Sequence, residues 1–156
     1  MSNISKQLSK LDLSKVKMKN GKTVVDELKR HAVILVTCIT ECLSDVYDDY
    51  SPKVWNRDYS LYNSVCIDEW VEVRTSAKGV ELSIGLYFDE GAWHKSFDGR
   101  DVNAAYLINY GYETNGSFKD VPYLGFRKPT YFIEEGIEEY KRRVDKPFGI
   151  RLVKEY

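Results

Sequence analysis

An α+β fold, with one long N-terminal helix and a C-terminal helix packed on a small antiparallel β-sheet, follows from three features of this sequence. Apolar residues recur at spacings of three and four from Val25 to Tyr50. A run from Val71 to Phe88 alternates apolar with polar side chains, and a second helical stripe, Ile133, Ile137, Tyr140 and Val144, lies near the far end.

The front of the chain is a lysine-rich arm, residues 1–21, and residues 22–156 form a single α+β domain. Residues 1–22 hold Lys6, Lys10, Lys15, Lys17, Lys19 and Lys22 against Asp12 alone, and Asn20-Gly21 marks a turn. Thr23 then sits as a helix N-cap with Asp26 three residues on, a T-x-x-D form of the capping box. Val25, Leu28, Ala32, Leu35, Ile39, Leu43, Val46 and Tyr50 fall on one face of a helix running to about Asp49. Its middle, "AVILVTCIT", is apolar nearly all round, so burial on more than one side is expected. Pro52 stops it.

A β-hairpin follows, turning at "SAKG" with Gly79 free to take positive φ. Val80, Leu82, Ile84, Leu86 and Phe88 alternate with Glu81, Ser83, Gly85 and Tyr87, so one face packs on the long helix and the other is polar. "DVNAAYLINYG" predicts a short helix capped by Asp101 and stopped by Gly111. The stretch "YETNGSFKDVPYLGFRKP" is long and irregular, rich in glycine, proline and rings. Thr130 is the expected cap of the last helix, which carries Glu134 and Glu135 early and Lys141, Arg142 and Arg143 late, the order its dipole favours. Gly136 within it costs about 1 kcal/mol relative to alanine. "FGIRLV" is expected to add an edge strand.

Composition narrows the function classes. At 156 residues, with 43% hydrophobic and 30% charged residues, the chain suits one globular domain burying roughly two thirds of its unfolded surface. A net charge of −1 argues against a protein built to coat nucleic acid. No run approaches the ~18 apolar residues of a membrane span, the first fifteen residues lack a signal-peptide core, and three cysteines give no disulfide framework. A soluble cytosolic chain is therefore expected. The charge is uneven: residues 41–58 hold Glu41, Asp45, Asp48, Asp49 and Asp58 against Lys53 and Arg57, a pattern that suits either a solvated tail and a solvated helix end or head-to-tail docking between subunits of a ring.

Constellations for catalysis are weak. Cys38 and Cys42 share a helix face, but zinc needs four ligands and no second pair accompanies them, so they read as core thiols. His31 lies amid helix residues and reads as a satisfied or surface histidine. His94 has Asp98 nearby, the material for a general base, yet no serine or cysteine stands in a nucleophile setting. Asp45 and Asp49 could begin a two-metal site, but ligands from other elements are missing. No phosphate-cradling glycine loop is present. No catalytic residue, metal or cofactor is expected.

The rings are the better signal. Trp55, Tyr59, Tyr62, Trp93, Phe97, Tyr112, Phe118, Tyr123 and Phe126 fall outside the regular elements. They suit satellite core, stacking on single-stranded nucleic acid, or protein contacts, and the near-neutral charge suits the last best. The connector "YSPKVWNRDYSLYNS", Tyr50 to Ser64, carries Tyr50, Ser51, Pro52, Trp55, Arg57 and Leu61 in a spacing similar to a segment of the tail-completion, or head–tail joining, proteins of long-tailed bacteriophages. Trp55 stands where that family usually has tyrosine, and Asp58 where it has threonine. The resemblance spans roughly residues 22–145, also covering the hairpin, "INYGYE" and the helix after "RKPTYF".

What the resemblance implies is structural. Such proteins form rings, commonly hexamers, in the neck of the virion between the tail tube and the head connector (or stopper), with DNA passing through the lumen without sequence-specific binding. Here Arg57 would hold the linker as a multiply bonded charge, Pro52 would set the chain's exit angle, and Tyr50, Trp55 and Tyr59 would pack it on the helix. The loop containing Tyr112, Phe118, Tyr123, Phe126 and Arg127 would order against a neighbouring subunit or the tail tube. Location would be the virion neck, and the host cytoplasm during assembly. Two rival readings differ in class: a small nucleic-acid-binding module using the lysine-rich N-terminus, and a small hydrolase using His94 with Asp98. On the assembly reading, Arg57→Ala reduces folding or ring assembly; normal incorporation of that variant into infectious particles would contradict it.

Overall fold

The computed structural model describes residues 15–49, 59–76, 79–95, 99–113 and 126–153. Helix α1 spans Val24–Asp49 and opens as its sequence requires. Thr23 Oγ1 accepts the Asp26 N–H at 3.1 Å and donates to the Asp26 carboxylate at 2.5 Å. Before it, the Asn20-Gly21 turn is closed by Met18 N–H to the Lys22 carbonyl, with Gly21 at φ 80°. Leu28, Ala32, Leu35, Cys38, Ile39 and Leu43 of α1 are buried, and a stripe through Asp26, Lys29, Arg30, Val33, Thr37, Glu41, Asp45 and Asp48 faces outward. The all-round apolar middle is therefore enclosed on several sides, as expected. Tyr50 and Pro52 lie outside the described residues.

A short helix, α2 (Ser60–Asn63), buries Leu61 and delivers the chain to β1 (Val65–Ile67). β2 (Glu72–Ser76), β3 (Gly79–Ser83) and β4 (Leu86–Phe88) follow. The expected hairpin is present but divided. β2 pairs antiparallel with β3, Ser76 facing Gly79, while β1 pairs with β4, Val65 facing Phe88. Between the two ladders, residues 68–71 stand against Ile84 and Gly85 alone. This bulge holds two extra residues, an even number, so side chains keep their faces across it. Across it Asp68 donates its N–H to the Gly85 carbonyl at 2.9 Å, and the Asp68 carboxylate occupies the space beside the bare Gly85 Cα. Leu86 and Phe88 pack on the core; all five residues of β2 are exposed. The inner half of the hairpin belongs to the body and the outer half projects from it.

Past a 3-10 turn at Glu90–Ala92, β5 (Trp93–Lys95) and β6 (Asp101–Asn103) form a ladder that the sequence pattern did not announce. Asp101 is thus a strand residue and not a cap. The N-cap of α3 (Ala104–Tyr110) is Asn103, whose Oδ1 accepts the N–H groups of Ala105 and Tyr106 at 2.9 and 3.3 Å. Gly111 ends α3 at φ 71°, as expected, where a side chain would meet the Arg127 carbonyl at 2.5 Å. The ends of the irregular stretch close on each other as β7 (Tyr112–Glu113) and β8 (Phe126–Arg127). Among the described residues, four two-stranded antiparallel ladders, not one continuous sheet, make up the β part.

Helix α4 spans Phe132–Arg143, and its cap also differs from expectation. Thr130 turns its hydroxyl back to the Ile108 carbonyl at 2.9 Å. Tyr131 takes the cap position in left-handed geometry, φ 54°, with no side-chain bond of its own. The cap comes from another helix: Asn109, fully buried on α3, accepts the Ile133 N–H at 2.9 Å and donates to Glu134 Oε2 at 2.7 Å. Its carbonyl also accepts the N–H groups of Thr130 and Tyr131. One amide therefore ties α3 to the start of α4.

The core lies between α1 and α4, floored by β1 and β4. Phe132, Gly136 and Tyr140 recur every four residues on the buried face of α4. A Cβ at Gly136 would lie 2.7 Å from the Ile39 Cα and 2.9 Å from its nitrogen. The glycine is a close-approach site, so its cost in helix propensity is offset by packing. "FGIRLV" does not form the expected strand: residues 147–153 are irregular, because Tyr140 Oη takes the Phe148 N–H at 2.9 Å and Ile150 turns onto the core. Gly136→Ala would destabilise the fold by about 1–3 kcal/mol despite raising helix propensity, since backbone must move to admit the methyl. Urea denaturation checks this, and a gain in stability would show that the helices are not in close contact there.

Candidate interaction surface

Residues singled out for chemistry are placed apart. His94 is exposed on β5 opposite Val102, and Asp98 lies outside the described residues, so a His94–Asp98 pairing has no described geometry. Cys38 is fully buried in the core and Cys42 half-buried beside it, and burial raises both thiols above their ordinary range. No group of three or more His, Cys, Asp or Glu among the described residues is arranged to hold a metal ion.

His31 is the satisfied histidine of the two. It is buried, and Arg30 Nη2 donates to its Nε2 at 2.9 Å, which leaves the proton on Nδ1 to be shared with Tyr140 Oη at 2.7 Å. The Phe148 ring sits edge-on at 4.6 Å. Arg30 also binds Glu27 Oε1 at 2.6 Å, and that bond lowers the Glu27 carboxyl below its ordinary value. Burial, and then the Arg30 charge, push the His31 pKa below its ordinary 6.5, outweighing the opposing pull of Glu27. This cluster closes α1 against α4 and the C-terminal segment; it presents no open face to a substrate.

A cleft of about 540 Å³ runs between α1 and α4, lined by Glu41, Asp45, Glu134, Glu135, Glu138 and Glu139 with Cys42, Arg142 and Arg143. Its guanidiniums are already engaged. Arg143 bridges Glu41 across the helices at 2.7 Å and Glu139 along its own helix at 2.8 Å, and Arg142 binds Glu139 at 2.6 Å. These bonds to Glu41 and Glu139 raise the Arg143 pKa. Carboxylates are in excess, so the cleft presents negative charge in the same region as the acidic stretch read from sequence. The one thiol that lines it, Cys42, is pushed away from its nucleophilic thiolate form by burial.

The linker motif is represented here by Leu61, which is buried at 3% exposure; Tyr50, Ser51, Pro52, Trp55 and Arg57 lie outside the described residues. Tyr59 meets Tyr47 edge-on at 5.8 Å, so one of the rings expected to pack the linker on the helix does so. Of the contact loop, Tyr112 pairs with Arg127 and Glu113 with Phe126 in the β7–β8 ladder, while Phe118 and Tyr123 lie outside the described residues.

Comparison of the chain with protein-family models, curated proteins and solved structures finds no match. No helix among the described residues is long and apolar enough to cross a membrane.

Among the described residues, the outer hairpin is exposed along the whole of β2. Trp70 is 81% exposed at the bulge and Val73 49% exposed on β2, with Leu152 and Val153 also turned outward. The sequence showed these as strand residues but gave no sign that β2 lacks a covering layer. Its alternation matches that of a half-buried strand, and only the bulge at 68–71 carries it off the body. Because the unfolded His31 protonates near pH 6.5 while the folded ring resists it, stability is expected to fall as pH drops from 7.5 to 5.5, by at most about 1.4 kcal/mol per pH unit. His31→Gln would flatten that slope in thermal melts at the two pH values; an unchanged slope would mean that His31 is not the group responsible.

Proposed function

We propose that this chain is a structural assembly subunit of a phage neck, a tail-completion or head–tail joining component that forms a ring between the tail tube and the head connector. The observation that carries the reading is a body closed by the Gly136–Ile39 crossing and the Asn109 cap, from which an uncovered hairpin projects. A rigid block with an uncovered arm suits lateral docking, where large rings and guanidiniums are enriched. The order expected of that family, long helix, linker, hairpin, irregular loop, Tyr-Gly segment and C-terminal helix, is compatible with the order here, where the β5–β6 ladder and α3 precede Gly111 and the last helix begins at Phe132. The excess of carboxylates in the α1–α4 cleft is complementary to the lysine-rich residues 1–22 of a neighbouring copy, which favours head-to-tail docking around a ring.

Catalysis has no part in this proposal, and DNA is a passenger in the lumen. The test is electron microscopy with native mass spectrometry of the purified chain, alone and with tail-tube and head-connector proteins. Closed rings in either setting are the expected result. Absence of any ring in both settings overturns the neck reading, and tight, strongly salt-dependent DNA binding by residues 1–22 would replace it with the nucleic-acid-binding alternative.

A further inference from the structure

We propose that β2 is a self-pairing edge: two copies of the chain join through an antiparallel β2–β2 ladder centred on Val73, forming a two-fold dimer distinct from any ring contact. The direction of the free backbone groups follows from the register. Ser76 faces Gly79 across two intervening residues, and a pair so close to the turn can be bridged only by exchanging its own two N–H···O bonds. Bonded pairs alternate along an antiparallel ladder, so Arg74–Glu81 and Glu72–Ser83 are bonded in the same way. The N–H and C=O groups of Val73 and Thr75 therefore point away from β3. Among the described residues β2 has β3 as its only strand neighbour, and all five of its residues are exposed.

An isolated two-stranded ribbon is marginally stable in water, and an uncovered edge invites another strand. Charged side chains normally discourage such pairing, but those on β2 are arranged to favour its own copy. With the two-fold axis at Val73, Val73 meets Val73 of the second copy as a bonded pair. Glu72 then faces the second copy's Arg74, and Arg74 its Glu72, in the non-bonded positions where cross-strand side chains lie closest. Axes at Glu72 or Arg74 would set like charges opposite each other, and an axis at Thr75 would set Arg74 opposite Ser76 and carry Glu72 past the end of the second copy's β2, to its turn. Charge therefore selects the Val73 register. Within one chain Arg74 already holds Glu72 through two bonds, at 2.9 and 3.1 Å, so the four charges of the dimer form one alternating cluster. Trp70, the most exposed large ring among the described residues, lies at the flank of the paired region, as aromatic residues at interfaces commonly do. A two-fold contact is closed and does not itself propagate a ring, so this dimer stands or falls apart from the neck reading.

Sedimentation equilibrium of the full chain is the test, with far-UV circular dichroism to confirm folding of each variant. The wild type is expected to pass from the 18.1 kDa chain mass to twice that value as concentration rises. Val73→Pro removes an N–H that faces away from β3, leaves the β2–β3 bonds in place, and weakens association by at least about tenfold. Glu72→Arg and Arg74→Glu, each alone, set like charges opposite each other and give monomers. Mixed together, these two variants restore opposite charges at both contacts and form a heterodimer. A wild type that stays monomeric at millimolar concentration overturns the proposal. So does a dimer unaffected by Val73→Pro, or a mixture of the two charge variants that associates no better than either alone.

Discussion

How closely α4 can approach α1 decides most of this structure. Phe132, Gly136 and Tyr140 present a ring, a bare backbone and a ring on one helix face, and the bare position rests on Ile39. Any side chain at 136 would hold the helices apart. With it absent, Phe132 reaches Phe88 at 6.3 Å from the hairpin side, and Tyr140 reaches His31 one turn beyond the crossing. Dispersion falls off within a fraction of an ångström, so a small separation at the crossing would weaken every one of these contacts together.

Several local signals are met by distant partners because of that crossing. The start of α4 has no cap of its own, and Asn109 fills the role from α3 with a fully buried side chain. Tyr59 and Tyr131 hold left-handed backbone just before α2 and α4, a geometry that costs a non-glycine residue roughly 1–2 kcal/mol. Each is retained because its carbonyl is the first acceptor of the helix that follows, to Asn63 and Glu135 respectively. Tyr131 is further held by its N–H to Asn109.

The same economy of partners separates body from arm. Polar groups buried near α1 and α4 are gathered into the His31–Tyr140–Phe148 and Asn109–Glu134 clusters, and the acidic cleft has its arginines tied down. The outer hairpin has none of this support. It is joined to the body through the bulge at residues 68–71, and Glu72 and Arg74 pair along one strand. That division between a closed body and an uncovered arm is what the assembly proposal rests on.

Helix α1, its Thr23 cap, its many-sided burial, the Gly79 turn, the Gly111 stop and the charge order of α4 were legible in the sequence, because each depends on residues within a few positions of one another. The cap of α4, the role of Gly136, the ladder of β5 with β6 and the loss of the last strand were not. The Asn109 amide acts 24 residues away on Ile133, and Gly136 is explained by Ile39, nearly one hundred residues earlier in the chain. Periodicity records which face of an element is apolar. It carries no record of the atom that will stand against that face, so close approach, borrowed caps and the uncovered edge of β2 are properties of the packed molecule alone.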